Sequence, residues 1–334
     1  MDRYDNLDLI ISLLPLLKIR DKINLLNVFD KEENFVKMKK SDIEDILKCS
    51  LNYFWNIDEI RNIAQRADSI CRMRGGKWVS WRENKYPPLL REIYDPPPVI
   101  FYRGELPNPE RSLLGMVGTR KPSSQAASQA YNIAYGVGKA GISVVSGLAI
   151  GIDAISHRGN LISSAPGYAV LGSGIDEIYP STNRPLAKRI LDSGGALISE
   201  YPPGTGPFRW NFPARNRIIS ALSRSVLIVE APKRSGSLIT GGFALDQGKD
   251  LWVASAGLCE DHNGMLYDRT GTIKLGNDGA EVIHCANDIL EKWGIGDLYK
   301  NDTMIHTENS GTCSGVSSQR ELVTSMASYL EIEL

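Results

Sequence analysis

Apolar residues recur at three- and four-residue intervals through the start of the chain. Leu9, Leu13, Leu16 and Leu17 form one set and Ile43, Ile46 and Leu47 another, with Lys and Glu between them. This spacing lays one greasy stripe along each of several short helices and predicts a small all-α module over residues 1–75. Ser41-Asp42-Ile43-Glu44 reads as a capping box opening one of those helices. The texture changes at Leu113, where short apolar runs alternate with helical segments. The runs are Leu113–Val117, 142–146, Tyr168–Leu171, Ala196–Ser199, 226–230 and 251–254. The helical segments between them are Ser124–Lys139, 152–163, 183–192, 214–222 and 238–247. Near-continuous apolar strands separated by helices predict a parallel sheet covered on both faces, an α/β core of Rossmann-like type over residues 111–297.

Between module and core, Gly75-Gly76, Pro87-Pro88 and Pro96-Pro97-Pro98 punctuate residues 76–110. Two short strand candidates, 78–81 and 99–102, lie there. Three successive prolines cannot donate to a ladder, so the segment is expected to be an extended connector packed on the core. The paired short helices of the N-terminal module fit a sterile-alpha-motif-like or a helix-hairpin-helix-like unit. A hairpin of the latter kind brings its amides to a phosphate through a glycine. Leu14-Pro15-Leu16-Leu17-Lys18-Ile19 has none, which favours a structural or protein-contact role. Residues 298–334 are rich in Ser, Thr and Asn and are expected to form a mobile tail with one weak helix, 318–330, too short for a full winged helix.

Composition narrows the function classes. With 42% hydrophobic and 23% charged residues in 334, the chain is an ordinary globular one with room for about two domains. Its five cysteines (49, 71, 259, 285, 313) are odd in number and lack a CxxC, so a disulfide framework is not expected and a reducing compartment is. The acidic start has no positive n-region, and the longest apolar run, 7–17, is broken by Pro15 and too short for a bilayer. A cytoplasmic protein without a membrane partner is expected. The formal net charge of −1 excludes a uniformly basic protein but not a local basic patch. Residues 207–234 hold six cations (Arg209, Arg215, Arg217, Arg224, Lys233, Arg234) against Glu230 alone, and residues 111–152 hold four with no acid. Neutrality overall is therefore cancellation between a basic sheet edge and an acidic body.

Ligands of open parallel sheets bind outside the carboxyl ends of the strands, so the loops there carry the candidate chemistry. Gly118-Thr119-Arg120-Lys121 follows the first strand, ahead of a helix that Ser123 or Ser124 can cap. It is either an anion site or a capped turn with two solvated cations. Ser146-Gly147 opens the next loop, where Asp153 and His157 are one helical turn apart; a structural hydrogen bond is favoured over a catalytic pair. Gly172 and Gly174 flank Ser173 in the third. Phe208, Trp210 and Phe212 alternate with polar residues before Arg215-Asn216-Arg217. Arginines for phosphates beside aromatic faces for unstacked bases suit single-strand binding, and loop anchors are the other reading of the aromatics. Ser235-Gly236-Ser237 is a further capped, Gly-rich helix start. Neither a complete G-x-G-x-x-G with its acidic partner nor a P-loop is present, which counts against dinucleotide and ATP binding. Cys259-x-x-His262 with His284-Cys285 is too loosely spaced to favour zinc, and no metal or other cofactor is expected.

Taken together, the motifs resemble the DprA/Smf family of bacterial DNA-processing proteins. The matching elements run in order from Tyr86-Pro87-Pro88-Leu89-Leu90 through Asp95-Pro96-Pro97-Pro98-Val99-Ile100, Val117-Gly118-Thr119-Arg120 and Ser146-Gly147-Leu148-Ala149-x-Gly151-Ile152-Asp153. Ala169-Val170-Leu171-Gly172-x-Gly174-Ile175-Asp176, Ile198-Ser199-Glu200-Tyr201-Pro202 and Phe212-Pro213-x-Arg215-Asn216-Arg217 follow, then Val229-Glu230-Ala231 and the Ser235-Gly236-Ser237 turn. Thr119 stands where the family usually has Ser, Ser255-Ala256-Gly257 replaces a Pro-Gly, and residues 260–269 are unfamiliar. The resemblance implies a homodimeric, non-enzymatic binder of single-stranded DNA. Such a protein protects incoming strands in natural transformation and homologous recombination, and promotes loading of RecA, in place of single-strand-binding protein. It implies that Arg120 grips a phosphate and that Phe212, Arg215, Asn216 and Arg217 line the same pocket as Gly118, Thr119 and Lys121. Ser146, Gly147, Gly172 and Gly174 would admit backbone or bases closely. The rival reading is a nucleotide-processing enzyme of the lysine-decarboxylase-like phosphoribohydrolase group. Those enzymes carry a Glu after a Pro-Gly-Gly-x-Gly-Thr turn; here no Glu follows Ser235 until Glu260.

Overall fold

The leucine stripe at the start of the chain folds into α1 (Leu7–Ser12), α2 (Ile19–Val28), α3 (Glu32–Phe35), α4 (Lys40–Leu47) and α5 (Ile57–Met73). These come from a computed structural model that describes residues 6–259 and 267–295. Leu9, Leu25, Leu26, Phe35 and Ile43 are wholly buried and share one core with Val99, Phe101 and Ile175 of the following segments. The start of α4 differs from the predicted box. Its Asp42 carboxylate accepts the Lys39 N–H at 2.8 Å, so the cap lies two residues before Ser41. Buried Asp8 fastens the helices to the sheet by accepting from the Ser80 hydroxyl and the Arg82 guanidinium.

The stretch expected as a connector carries β1 (Lys77–Ser80), α6 (Pro88–Arg91) and β2 (Val99–Gly104). Both strands join the sheet antiparallel, β1 on β2 and β2 on β6 (Ala196–Ser199). The prolines end at Pro98 and backbone donors resume at Val99, so the triple proline stops just short of the ladder. Its carbonyls still serve: Pro97 accepts from the Tyr86 hydroxyl at 2.8 Å and Pro98 from the Trp81 N–H at 2.9 Å.

The core runs β3 (Leu113–Val117), α7 (Ser124–Lys139), β4 (Ser143–Ser146), α8 (Ile152–Ile162), β5 (Tyr168–Leu171), α9 (Arg184–Asp192) and then β6. Next come α10 (Asn211–Leu222), β7 (Ser225–Ile228), α11 (Gly236–Asp246), β8 (Asp250–Ala254), α12 (Thr270–Asn277), β9 (Glu281–Ile283) and α13 (Ala286–Lys292). The nine strands stand in the order β1-β2-β6-β5-β4-β3-β7-β8-β9, parallel from β6 to β9. Alternate residues of each strand face opposite layers. Val117, Val145, Val170 and Ile198 meet Ile218 and Ile219 of α10, while Ala169, Leu171 and Leu197 meet Ala154 of α8 and Ile190 of α9. The chain winds outward from β3 through β4, β5 and β6, then returns to β7 on the other side of β3. The strand order reverses between β3 and β7, which is where such sheets open a crevice.

Residues up to Ile289 form one compact unit and Leu290 begins another. Within the described part of the latter, the Ile295 N–H returns to the Leu290 carbonyl at 2.8 Å. The expected tail 298–334 with its helix 318–330, Cys313, and residues 260–266 with His262 lie outside the described residues. Among the described residues no helix is long and apolar enough to cross a membrane.

Candidate nucleic-acid interface

A cleft of about 830 Å³ opens at the reversal point, walled by the loop after β3, the start of α10 and the first turn of α11. The β3 loop is held from both sides. Thr119 donates its N–H to the Glu230 carbonyl at 2.7 Å, accepts the Ile152 N–H on its carbonyl at 3.2 Å and accepts the Lys121 N–H on its hydroxyl at 3.2 Å. Gly118 is pressed on α8, where a Cβ would stand 2.6 Å from Ile152 Cγ1. Gly151 adopts φ +80° and passes so close that a Cβ would meet the Thr119 carbonyl oxygen at 2.4 Å. The clamped loop presents Arg120 and Lys121, both exposed, and neither side chain has a hydrogen bond or ion pair among the described residues. Beneath it, fully buried Glu230 accepts the Ser123 N–H and Arg269 Nε, each at 2.7 Å, so this acid holds the start of α7 and leaves the cleft cationic.

The opposite wall is aromatic. Phe212 and Tyr179 meet with ring centroids 5.5 Å apart and planes tilted 45°. Gly172 makes room for this pair, because a Cβ there would lie 2.8 Å from Phe212 Cδ1. Exposed Arg209 completes the mouth. Gly236, Ser237 and Thr240 line the floor at the positive end of α11, which Ser235 caps by accepting the Leu238 N–H.

The structure corrects several of the expected contacts. Arg215, Asn216 and Arg217 lie in α10, within the helix expected over 214–222, and all three are buried. Arg215 reaches the cleft edge, but its guanidinium donates to the carbonyls of Gly147 (2.9 Å) and Val170. It faces Asp153 across Gly147, where a Cβ would come within 2.6 Å of Arg215 Nη2 and 2.7 Å of Asp153 Oδ2. Gly147 thus admits that pair, which lines the inner edge of the cleft, and Arg215 also borders a side pocket of about 60 Å³. Burial dominates both groups, lowering the Arg215 pKa to about 10 and raising that of Asp153 despite their mutual attraction. Asn216 lines the cleft and donates to the Gly236 carbonyl at 3.0 Å, tying α10 to α11. Arg217 does not line it. Its guanidinium grips Glu200 at 2.7 and 2.8 Å and Asp95 at 2.9 Å, with 4% of the side chain exposed.

Ser146 is likewise internal, donating its hydroxyl to the Met116 carbonyl at 2.6 Å. Gly174 is a turn residue whose N–H donates to the Thr205 carbonyl at 2.8 Å. Ser146, Gly172, Gly174 and Arg217 therefore shape the cleft from behind. Asp153 and His157 share no hydrogen bond, since neither ring nitrogen of His157 has a partner. Burial holds that imidazole neutral, with its pKa lowered to about 3. Cys259, His284 and Cys285 border a separate pocket beside α7, and among the described residues no cluster of three His, Cys, Asp or Glu could hold a metal ion. Arg209 and Tyr179 were not singled out from the sequence as contact residues. The signal for Arg209 is its place between aromatics; for Tyr179 it is the Tyr179-Pro180 pair that closes the loop after Gly172 and Gly174.

These features define a Rossmann-like α/β protein with a cationic, aromatic-walled cleft at its topological switch point. The family model for DNA recombination-mediator protein A matches residues 77–294, and the chain belongs to that family. It is 30% identical to Protein Smf of Borreliella burgdorferi over 309 residues, 92% of this chain and 95% of that one. It is 43% identical to Protein Smf of a Synechocystis species over 213 residues, spanning 63% of this chain and only about half, 52%, of that relative. Among solved structures, DNA processing protein A of Streptococcus pneumoniae superposes with a TM-score of 0.66 at 30% identity, covering 86% of this chain and 97% of that one. The Helicobacter pylori protein of the same name, solved to examine its single-stranded DNA binding mode, gives 0.55 at 26% identity, covering 68% and 96%.

Proposed function

We propose that this protein binds single-stranded DNA in the switch-point cleft and acts, without chemical turnover, as a mediator that protects the strand and hands it to RecA. The observation that carries the reading is the juxtaposition in one cleft of three exposed cations, Arg120, Lys121 and Arg209, unpaired among the described residues, with the Tyr179–Phe212 ring pair. Guanidinium and ammonium groups take backbone phosphates, and ring faces take unstacked bases of any sequence. A duplex hides its base faces, so it can use only the cationic half of the site. Membership of the recombination-mediator family and the likeness to the Helicobacter pylori protein support the same ligand. The reading includes a homodimer, in which two clefts engage one strand and gain avidity without new contacts.

Titrating a labelled single strand at two salt concentrations tests the binding claim. Affinity is expected to be micromolar or better and to fall steeply with salt; salt-independent or absent binding contradicts it. Mass measurement at working concentration should find the dimer, and purified RecA should assemble faster on strands carrying the protein. Hydrolysis of nucleoside monophosphates would contradict the absence of turnover.

A further inference from the structure

Phe208 and Trp210 lie at the mouth of the cleft and outside its lining. Their rings stack with planes 3° from parallel and centroids 5.1 Å apart. They are nonetheless 47% and 70% exposed, so the pair anchors nothing in the core. Every other tryptophan of the chain is buried or half-buried. Keeping two large rings in water forgoes the burial that normally fixes aromatic side chains. Arg209, which faces the cleft, sits between them in sequence, and Phe212 of the cleft wall follows two residues later. Parallel rings continue as a stack, and a nucleobase is a flat ring that extends such a stack whatever its sequence.

We propose that the Phe208–Trp210 stack is a second base-binding platform, on which an unstacked base of a single strand rests after the strand leaves the cleft past Arg209. This rests on the cleft being the single-strand site and adds a contact outside it. The platform should matter for strands long enough to leave the cleft and not for ones that fit inside. It should also be indifferent to salt, since ring stacking displaces no counterion.

Tryptophan emission and anisotropy of a labelled oligothymidylate, read in the same titration, provide the test. A strand of about 16 nucleotides is expected to quench the emission of the intact protein, and the quench should vanish in Trp210→Phe while binding persists. Trp210→Ala should weaken that strand about tenfold at every salt concentration, with Trp210→Phe restoring most of the affinity. A strand of about 4 nucleotides should bind Trp210→Ala and intact protein alike. Because Trp210 is exposed, these variants should keep the parent's thermal midpoint. Tight binding with unchanged emission, and with Trp210→Ala equal to the parent on the long strand, overturns the platform and leaves the cleft standing. Absence of binding to either strand overturns both.

Discussion

The Arg217 guanidinium is divided between Glu200 and Asp95, whereas Arg120 is exposed and unpaired. The two should therefore separate on substitution. Arg120→Ala is expected to leave the thermal midpoint in place, weaken single-strand binding about tenfold and flatten the salt slope by about 0.7 for the lost phosphate contact. Arg217→Ala should do the reverse, costing about 3 kcal/mol in denaturant unfolding by stranding two carboxylates, with the slope unchanged. Counting charges along the chain could not tell these arginines apart, because the acids that neutralise Arg217 lie 17 and 122 residues away. Arg120 was legible because a cation after a glycine at a strand end has few places to go but outward. His157 gives a second residue-level prediction. Its imidazole has a pKa of about 3 in the fold against an ordinary 6.5, so the unfolded chain binds a proton that the folded chain refuses. Stability from this group is complete above about pH 6.5 and is lost as pH falls toward 3. Asp153, raised by burial, runs the other way, its contribution falling as pH rises through its folded value. Comparing urea midpoints of the parent and His157→Leu across that range isolates the histidine, and the variant should show the shallower loss on acidification.

At the scale of elements, the parallel strands were the most legible part of the chain. Burial on both faces writes them as unbroken apolar runs, and β3, β5 and β6 begin and end where those runs do. The pieces that sequence placed poorly are those whose local signal points away from the tertiary outcome. A strand over 99–102 was legible, but Pro96–Pro98 argued for a connector outside the sheet, whereas β2 starts one residue after them and pairs with β6. The helix expected over 214–222 begins three residues earlier, at Asn211, and Pro213 sits in its first turn, where a missing N–H costs nothing because no carbonyl awaits it. The helix was legible, but not which of its residues turn inward, and so Arg215 and Arg217 read as contacts for a ligand. The clamp on the β3 loop makes its own prediction. Gly151→Ala adds left-handed strain of about 1–2 kcal/mol and drives a Cβ into the Thr119 carbonyl. It should lower the thermal midpoint and also weaken single-strand binding, since it displaces the loop that presents Arg120 and Lys121. An affinity equal to the parent's in a folded variant would detach that loop from the site.

Across the whole molecule, 38 cations and 39 acids nearly cancel, and the fold decides which of them face a ligand. The local excess read from residues 207–234 is smaller than it looked, because Arg217 is spent on Glu200 and Asp95, and Arg215 on internal carbonyls and Asp153. The sheet brings the remainder together: Arg120 and Lys121 after β3 meet Arg209 ahead of α10 across the strand-order reversal. A cleft of that kind concentrates a polyanion at one place. Its aromatic wall adds a demand that charge alone does not make, which is an exposed base face. The central claim is therefore tested by competition for one site: single strand, duplex of the same sequence and free mononucleotide, each displacing a labelled single strand at low and at moderate salt. The account predicts that the single strand competes best at both, that the duplex trails it and fades as salt rises, and that the mononucleotide barely competes. A duplex equal to the single strand, or a mononucleotide that displaces it, would contradict the account.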